Sequence, residues 1–347
     1  MKKSLFLLFA WCIAVVATAQ QEARVYAVGF YNQENLFDTC HDAGKKDYDF
    51  LPSGSYKWDG LKYGHKLRNM ARALADMGTD VLPHVGCAVI GLSEVENRRV
   101  LEDLVQQKPL AERGYAFAHI EGPDLRGIDC ALLYNPQLFT KQTERLVPYV
   151  MREAKDSAFY TRGFFTVTGE LAGEPVAFIV CHLPSRFSGS SYREWGATQV
   201  RTVKDSLLAL NPAMKVMVMG DMNDDPTDNS MRQCLAAKAE EAQVGPQDMY
   251  NPWYNILVKQ GTGTLQYRGA WNLFDQIILS PNLLNAPGTK DFSTLKFWKA
   301  RIQRMPYLFE TEGKYKGSPK RTTAGGVWLD GYSDHLPVCV YLVKTLQ

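Results

Sequence analysis

The stretch VMVMGDMNDDP, residues 216–226, leaves an apolar run at a glycine and at once gathers Asp221, Asn223, Asp224 and Asp225. Val216 to Met219 suit a buried strand, since a short continuous apolar run is what a sheet interior requires. The polar cluster after Gly220 is less ordinary. A turn before proline needs one or two short polar side chains, which bond their own backbone. Four are more than a turn uses and enough for the acidic rim of a metal-dependent site. A helix–loop–helix calcium site is excluded. Its sixth and twelfth positions counted from Asp221 must be Gly and Glu, and here they are Pro226 and Arg232.

Similar apolar runs recur on both sides of this join. Val25–Tyr31, Cys87–Leu92, Ala116–Ile120, Cys130–Tyr134, Gly163–Gly169, Val176–Cys181, Lys215–Met219, Phe274–Leu279 and Val338–Val343 are short and rich in Val, Ile, Phe and Leu, as strands are. Tyr63, Leu67, Met70, Leu74 and Met77 share one face of a helix that Gly78 stops. Val200, Val203 and Leu207 mark another, closed by Asn211-Pro212. Residues 39–58 and 285–325 have no periodicity and read as long loops. Many strands, fewer helices and no internal repeat predict one α/β domain of layered sheets over residues 21–347.

The first twenty residues are a separate object. Lys2 and Lys3, the apolar run Leu5–Val16 and the small residues Ala17-Thr18-Ala19 read as a signal peptide over residues 1–20. Its apolar span is shorter than the roughly 20 residues of a membrane anchor, and the bulky Trp11 before Cys12 argues against lipidation. A periplasmic or secreted protein is expected, with no transmembrane segment once the leader is cut. Cleavage removes two of 39 basic and none of 37 acidic residues, leaving a neutral chain. Neutrality disfavours extended, non-specific coating of nucleic acid and leaves room for a local basic patch. The six remaining cysteines, Cys40, Cys87, Cys130, Cys181, Cys234 and Cys339, permit disulfides in an exported protein. Cys130, Cys181 and Cys339 lie in strand-like runs, where buried cysteine acts as a small hydrophobe. Trp271, Trp298 and Trp328 are read as core packing.

Several apolar runs end in polar clusters: Asn32, Glu34 and Asn35; Glu94 and Glu96; His182 and Arg186; Asp221 and Asn223; Asp275; Asp334 and His335. Each alone is most simply a turn, a strand end or a surface pair. Together they supply oxygen donors for Mg²⁺, Mn²⁺ or Ca²⁺, two imidazoles for acid–base work and an arginine fork for phosphate. That is the equipment for metal-assisted attack of water on a phosphoester. Gly-x-Ser-x-Gly, His-Glu-x-x-His and a phosphate loop are absent, and GTGTLQ at 261–266 lacks the third glycine of a dinucleotide loop.

The ordered set FYNQEN (30–35), GLSEVEN (91–97), RGIDCALLYNP (126–136), CHLPSR (181–186), MGDMNDDP (219–226), FDQIIL (274–279) and YSDHLP (332–337) resembles the endonuclease/exonuclease/phosphatase superfamily. The match spans about Val25 to Val343. The resemblance implies a deoxyribonuclease I-like, four-layer α/β sandwich: two packed, mainly antiparallel sheets flanked by helices, with the site at one edge. It implies metal-side roles for Asn32, Glu94 and Asp334. It implies catalytic roles for Asp221 and Asn223, which position the attacking water, for His335 oriented by Asp275, and for His182 at the phosphate or leaving group. Arg186 and Arg126 are expected as phosphate contacts. Where repair enzymes carry Gln-Glu, this chain has Ser93-Glu94. No insertion provides the aromatic membrane wedge of a sphingomyelinase. The expected activity is a divalent-metal-dependent phosphodiesterase, first of all a nuclease, acting as a monomer with no protein partner implied. The alternatives are a phosphatase or lipid-headgroup diesterase, whose small substrates need no basic track, and a binding protein with a decayed site.

Overall fold

Strands scattered along the chain pair into two sheets with one hydrophobic core between them. The computed structural model describes residues 22–150 and 159–346; the leader read at 1–20 lies outside them. In chain order the strands are β1 Ala23–Leu36, β2 Cys87–Val95, β3 Ala116–His119, β4 Asp129–Tyr134, β5 Phe139–Val147, β6 Phe164–Leu171, β7 Glu174–His182, β8 Lys215–Asp221 and β9 Ala237–Lys238. They continue with β10 Met249–Tyr250, β11 Leu265–Tyr267, β12 Ala270–Asn272, β13 Asp275–Leu279, β14 Lys296–Ile302, β15 Thr323–Ala324, β16 Val327–Trp328 and β17 Val338–Thr345. The helices are α1 Gly60–Asp76, α2 Arg98–Val105, α3 Lys108–Ala111, α4 Ser190–Leu210 and α5 Trp253–Gln260.

One sheet runs β14-β17-β1-β2-β4-β3 and the other β5-β6-β7-β8-β13-β10-β9; β11-β12 and β15-β16 are separate hairpins. Pairing is antiparallel except between β1 and β2, β7 and β8, and β9 and β10. Strand periodicity explains the layering, because successive side chains point to opposite faces. Tyr26, Val28 and Phe30 of β1 join Val89, Leu132, Val338 and Val340 on the inner face, against Phe165, Val167, Phe178, Val180, Met217 and Ile277 of the second sheet. Ala27 and Tyr31 point outward beneath Leu67, Met70 and Leu74 of α1. Ala197, Val200, Val203 and Leu207 of α4 cover the outer face of the second sheet. The result is the expected sandwich of four layers.

The longest strands that the hydrophobic pattern missed lie at sheet edges. β5, sequence FTKQTERLV, and β14, sequence KFWKARI, each terminate a sheet. Only Phe139 of β5 is buried, and no residue of β14 is. Charged edge strands resist pairing with another chain, and the charge hides the strand from an apolar-run reading. Residues 285–325 are therefore not one irregular loop, since β14 lies inside them. The six cysteines are all free, and the buried Cys87 and Cys339 sulfurs lie 3.5 Å apart. Trp298 departs from its core reading: it is 48% exposed, with the Lys299 ammonium 4.0 Å from the ring centre.

Gly220, at the join that opens the site, has no room for a side chain. A β-carbon there would stand 2.0 Å from the Cys181 carbonyl oxygen on β7. Gly220→Ala must separate β7 from β8 and is expected to cost about 1–3 kcal/mol. Urea unfolding checks this, and an unchanged midpoint would refute the close approach.

Candidate active site

Strand register gathers the polar strand ends. β7 and β8 run parallel with His182 opposite Asp221, and β13 pairs with β8 so that Asp221 faces Asp275. Three polar residues thus sit side by side at the ends of three neighbouring inner strands of the second sheet. In the facing sheet β1 and β2 also run parallel, with Asn32 opposite Ser93. The next residue, Glu94, falls at a register break between β2 and β4, and breaks of this kind re-aim a side chain. The turn before β17 delivers Asp334 and His335.

The backbone around this centre is unusual. Glu34, Asn35, Glu94 and Asn223 have φ of 45°, 57°, 61° and 51°. Non-glycine residues seldom adopt the left-handed region, and such residues concentrate at functional sites. Hydrogen bonds hold them there. The Glu34 amide donates to Asn32 Oδ1 (2.8 Å), the Asn35 amide to Glu94 Oε2 (2.9 Å) and the Asn223 amide to Asp221 Oδ1 (2.9 Å). Asn223 Nδ2 donates to the Leu183 carbonyl at 2.9 Å.

Asn32 Nδ2 lies 3.0 Å from Asp221 Oδ2 and 3.4 Å from Glu94 Oε1. Since Asn32 Oδ1 takes the Glu34 amide, the side chain presents nitrogen to the centre and clamps two carboxylates, in place of the oxygen a metal ligand would offer. His335 Nδ1 is 2.7 Å from Asp275 Oδ2, which fixes the ring; its Nε2 lies 3.8 Å from Asp221 Oδ2 and 3.9 Å from Asp334 Oδ1. His182 Nε2 faces Asp221 Oδ2 at 3.6 Å and Glu94 Oε1 at 3.9 Å. Its Nδ1 is buried without a partner among the described residues, so a neutral His182 carries its proton on Nε2, toward the cavity.

Burial and charge divide the two histidines. Burial opposes a charged His335, but Asp275, Asp221 and Asp334 outweigh it and carry its pKa well above the usual value. Burial, then Arg162, Arg126 and His335, hold His182 well below it. Burial pushes Asp221 up to about 6 against the pull of His335. Titratable neighbours driven apart in this way mark acid–base roles.

Glu94, His182, Asp221, Asn223, Asp334 and His335 line one cavity of about 430 Å³, and Asp124, Arg126, Thr161 and Arg162 line it too. Among the described residues, no three His, Cys, Asp or Glu side chains form a ready-made metal cage. Magnesium does not need one, because it commonly keeps several waters and takes one or two carboxylates plus substrate oxygens. Glu94 and Asp334 fit that pattern.

Arg186 is placed elsewhere. Its guanidinium contacts the Asn223 carbonyl (3.2 Å), Asn272 Oδ1 (3.2 Å), Asp225 (3.0 Å) and Asp228 (2.9 Å). It ties down the loop after β8, and the expectation of a phosphate contact gives way to that. Arg126 does line the cavity. Three cations carry no signal in the sequence pattern. Arg162 is buried between Asp124 (2.9 Å) and the Leu183 carbonyl (3.1 Å). Arg321 bridges Glu34 (3.2 Å) and Asp334 (3.0 Å), and the buried Lys66 donates to the Tyr332 carbonyl at 2.6 Å. Glu34, in the first polar cluster, was the one available pointer to Arg321; nothing near Arg162 in sequence marks it.

The model of the endonuclease/exonuclease/phosphatase family matches residues 27–344. The chain belongs to the endonuclease/exonuclease/phosphatase family. Members of the family are phosphoester hydrolases that generally use divalent metal ions. No curated protein matches the chain, whereas solved structures of the family's fold do. A Bacteroides thetaiotaomicron endonuclease/exonuclease/phosphatase family protein is 14% identical with a TM-score of 0.56, covering 94% of this chain and 97% of its own. A B. thetaiotaomicron mannosyl-6-phosphatase is 15% identical at TM-score 0.55, covering 91% and 99%. D. rerio TDP2 complexed with single strand DNA product is 13% identical at TM-score 0.52, covering 92% and 99%. At such identities these likenesses establish the fold of this family member.

Proposed function

We propose that the protein is an exported, divalent-metal-dependent phosphodiesterase that hydrolyses nucleic-acid phosphoesters. The observation that carries the catalytic reading is the convergence on Asp221. Asn32 from one sheet and His182 from its own sheet contact it, as does His335 held by Asp275. Export rests on the composition of residues 1–20 alone.

Glu94 and Asp334 would hold the ion, with Asn32 orienting Glu94. When bound, the ion neutralises charge on the phosphoryl oxygens. Asp221, buried beside the cavity with its pKa raised to about 6, orients water and takes its proton as the oxygen attacks phosphorus. His335 donates from Nε2 to the oxygen on which charge develops, and Asp275 keeps that ring charged and aimed. Neutral His182 donates from Nε2 to a phosphoryl oxygen. The ester bond to phosphorus breaks, and its oxygen departs with the proton given up by His335 Nε2. An intact constellation of this kind argues against a decayed binding protein.

A chelator is expected to abolish turnover, and Glu94→Gln to raise the half-saturating Mg²⁺ concentration at least about tenfold. Undiminished rates in chelator would end the metal-dependent reading. Plasmid DNA, abasic duplex, RNA, a chromogenic diester, inositol phosphates and sphingomyelin form the substrate panel. A steep fall of polynucleotide cleavage with salt supports the nuclease. The second reading, a phosphatase, is supported by the neutral charge balance of the chain without its expected leader and by the mannosyl-6-phosphatase among the structural neighbours. Exclusive turnover of monoesters would establish it.

A further inference from the structure

The two carboxylates proposed to hold the ion share a feature. Each has one oxygen engaged by a strong donor of the protein and the other turned toward an imidazole of the centre. Glu94 Oε2 accepts the Asn35 amide at 2.9 Å. Glu94 Oε1 has a long contact of 3.4 Å with Asn32 Nδ2 and lies 3.9 Å from His182 Nε2. Asp334 Oδ2 accepts from the Arg321 guanidinium at 3.0 Å, and Asp334 Oδ1 lies 3.9 Å from His335 Nε2. On Glu94 the engaged donor is backbone. On Asp334 it is a side chain, which a substitution can remove.

Arg321 is aimed by its surroundings. Its Nε donates to Glu34 Oε1 at 3.2 Å, and Glu34 is buried at the end of β1. The other Glu34 oxygen accepts the Thr322 amide at 2.6 Å, so one carboxylate fixes both the side chain and the backbone beside it. Behind them the buried Lys66 of α1 donates to Thr322 Oγ1 and to the Tyr332 carbonyl, and Thr322 Oγ1 donates to that carbonyl at 2.9 Å. The segment that carries Arg321 is thereby tied to the turn that carries Asp334. The two backbones almost touch at Gly331, where a β-carbon would stand 2.1 Å from the Arg321 carbonyl oxygen. A planar fork anchored on one carboxylate has a fixed direction for its other nitrogens, and Asp334 stands in that direction.

From this arrangement we infer that Arg321 is a positioning residue that biases the ion site toward a small octahedral cation, by withholding one oxygen of Asp334. The inference rests on the reading of Glu94 and Asp334 as ion anchors and narrows it. Calcium gathers about 6–8 oxygens and readily takes both oxygens of a carboxylate, whereas magnesium demands a tight octahedron and keeps several waters. Two carboxylates limited to one oxygen each suit the second pattern. The positive charge of Arg321 opposes either divalent ion alike, so it cancels from the ratio of their affinities. The geometry of Asp334 does not cancel.

The test is calorimetry of Mg²⁺ and of Ca²⁺ on the metal-free protein without substrate. Arg321→Met releases Asp334 Oδ2 and is expected to shift the ratio of the two Kd values at least about tenfold toward Ca²⁺, the size of effect that a residue supporting a metal ligand has. Arg321→Lys should shift the ratio the same way, because one ammonium cannot span Glu34 and Asp334 as a fork does; it keeps a cation beside Glu34 and serves if the methionine variant does not fold. Asp334→Asn has a single oxygen to offer with or without the arginine. On that background Arg321→Met should leave the ratio within about twofold. If both Arg321 variants move the two affinities by one common factor, the role is charge or structure alone and the inference is overturned, while the metal-dependent reading stands. A shift that persists on the Asp334→Asn background also overturns it, since Asp334 would not be the route. Wild-type protein that binds neither ion sinks the metal-dependent reading and the inference together.

Discussion

His335→Ala is expected to lower kcat at least about 10²-fold while the protein stays folded, the usual loss for one acid–base or oxyanion-stabilising group. The expectation comes from how the ring is held. Asp275 is fully buried and pairs with Nδ1, so the ring has one orientation and its charged form is favoured. Nε2 then points at the centre, toward Asp221 and Asp334. Asp221→Ala should cost a similar factor, since that carboxylate is approached from both sheets, by Asn32 and by His182. Asp275→Asn should also lower kcat and move the alkaline limb of the pH profile, because it removes the charge that keeps the imidazole protonated. Steady-state kinetics on a purified, folded variant decide each case. Near-normal turnover by the His335 or Asp221 variant removes that residue from the mechanism.

Arg193→Met is expected to destabilise the fold by about 3–5 kcal/mol, the cost of stripping the partner from a buried charge. Arg193 of α4 lies 2.7 Å from Asp224, and both side chains are 5% exposed. The same guanidinium reaches the carbonyls of Ser185 and Gly189, each at 3.0 Å. Burial already raises the pKa of Asp224, with Ser230 and Arg193 pulling against it, so loss of the arginine leaves that group with little compensation. Arg186→Ala offers the contrast. Its side chain is 43% exposed, and exposed pairs contribute about 0–1 kcal/mol. Urea unfolding of both variants is the measurement, and equal losses would contradict the distinction between buried and exposed pairs.

Arg193 and Arg186 also explain why so many polar residues crowd behind Gly220. Of the four, Asp221 and Asn223 face the cavity. Asp224 accepts from the Ser230 hydroxyl (2.6 Å) and anchors Arg193, while Asp225 accepts from the Leu273 amide (2.6 Å) and pairs with Arg186. Half of the acidic cluster fastens the loop that presents the other half. Sequence pattern alone cannot apportion them, because a carboxylate that holds a loop and one that handles water look alike until their partners are known.

The sheet interiors were legible because strands covered on both faces must be continuously apolar. The edges β5 and β14 were not, since one side of each meets solvent and charge there is favourable. The short helices α2 and α5 offer too few turns for a periodic signal. The strand-end residues were readable as a set because register forces the ends of adjacent strands together. Arg162 and Arg321 were not, because each reaches its place through tertiary pairing across large sequence separations. Arg186 was misread for a related reason: proximity to His182 in the chain says nothing about the three aspartates that would claim it.

The pairing of β17 with β1 has a consequence for when this hydrolase becomes active. A chain emerging from the ribosome holds Asn32, Glu94, His182, Asp221 and Asp275 well before Asp334 and His335 arrive, just ahead of the strand that docks beside β1. Until that docking the nascent protein lacks His335 and Asp334, proposed above as the donor and as one of two carboxylate anchors. On the proposed mechanism, cleavage of phosphoesters then switches on late in biogenesis, as β17 closes against β1.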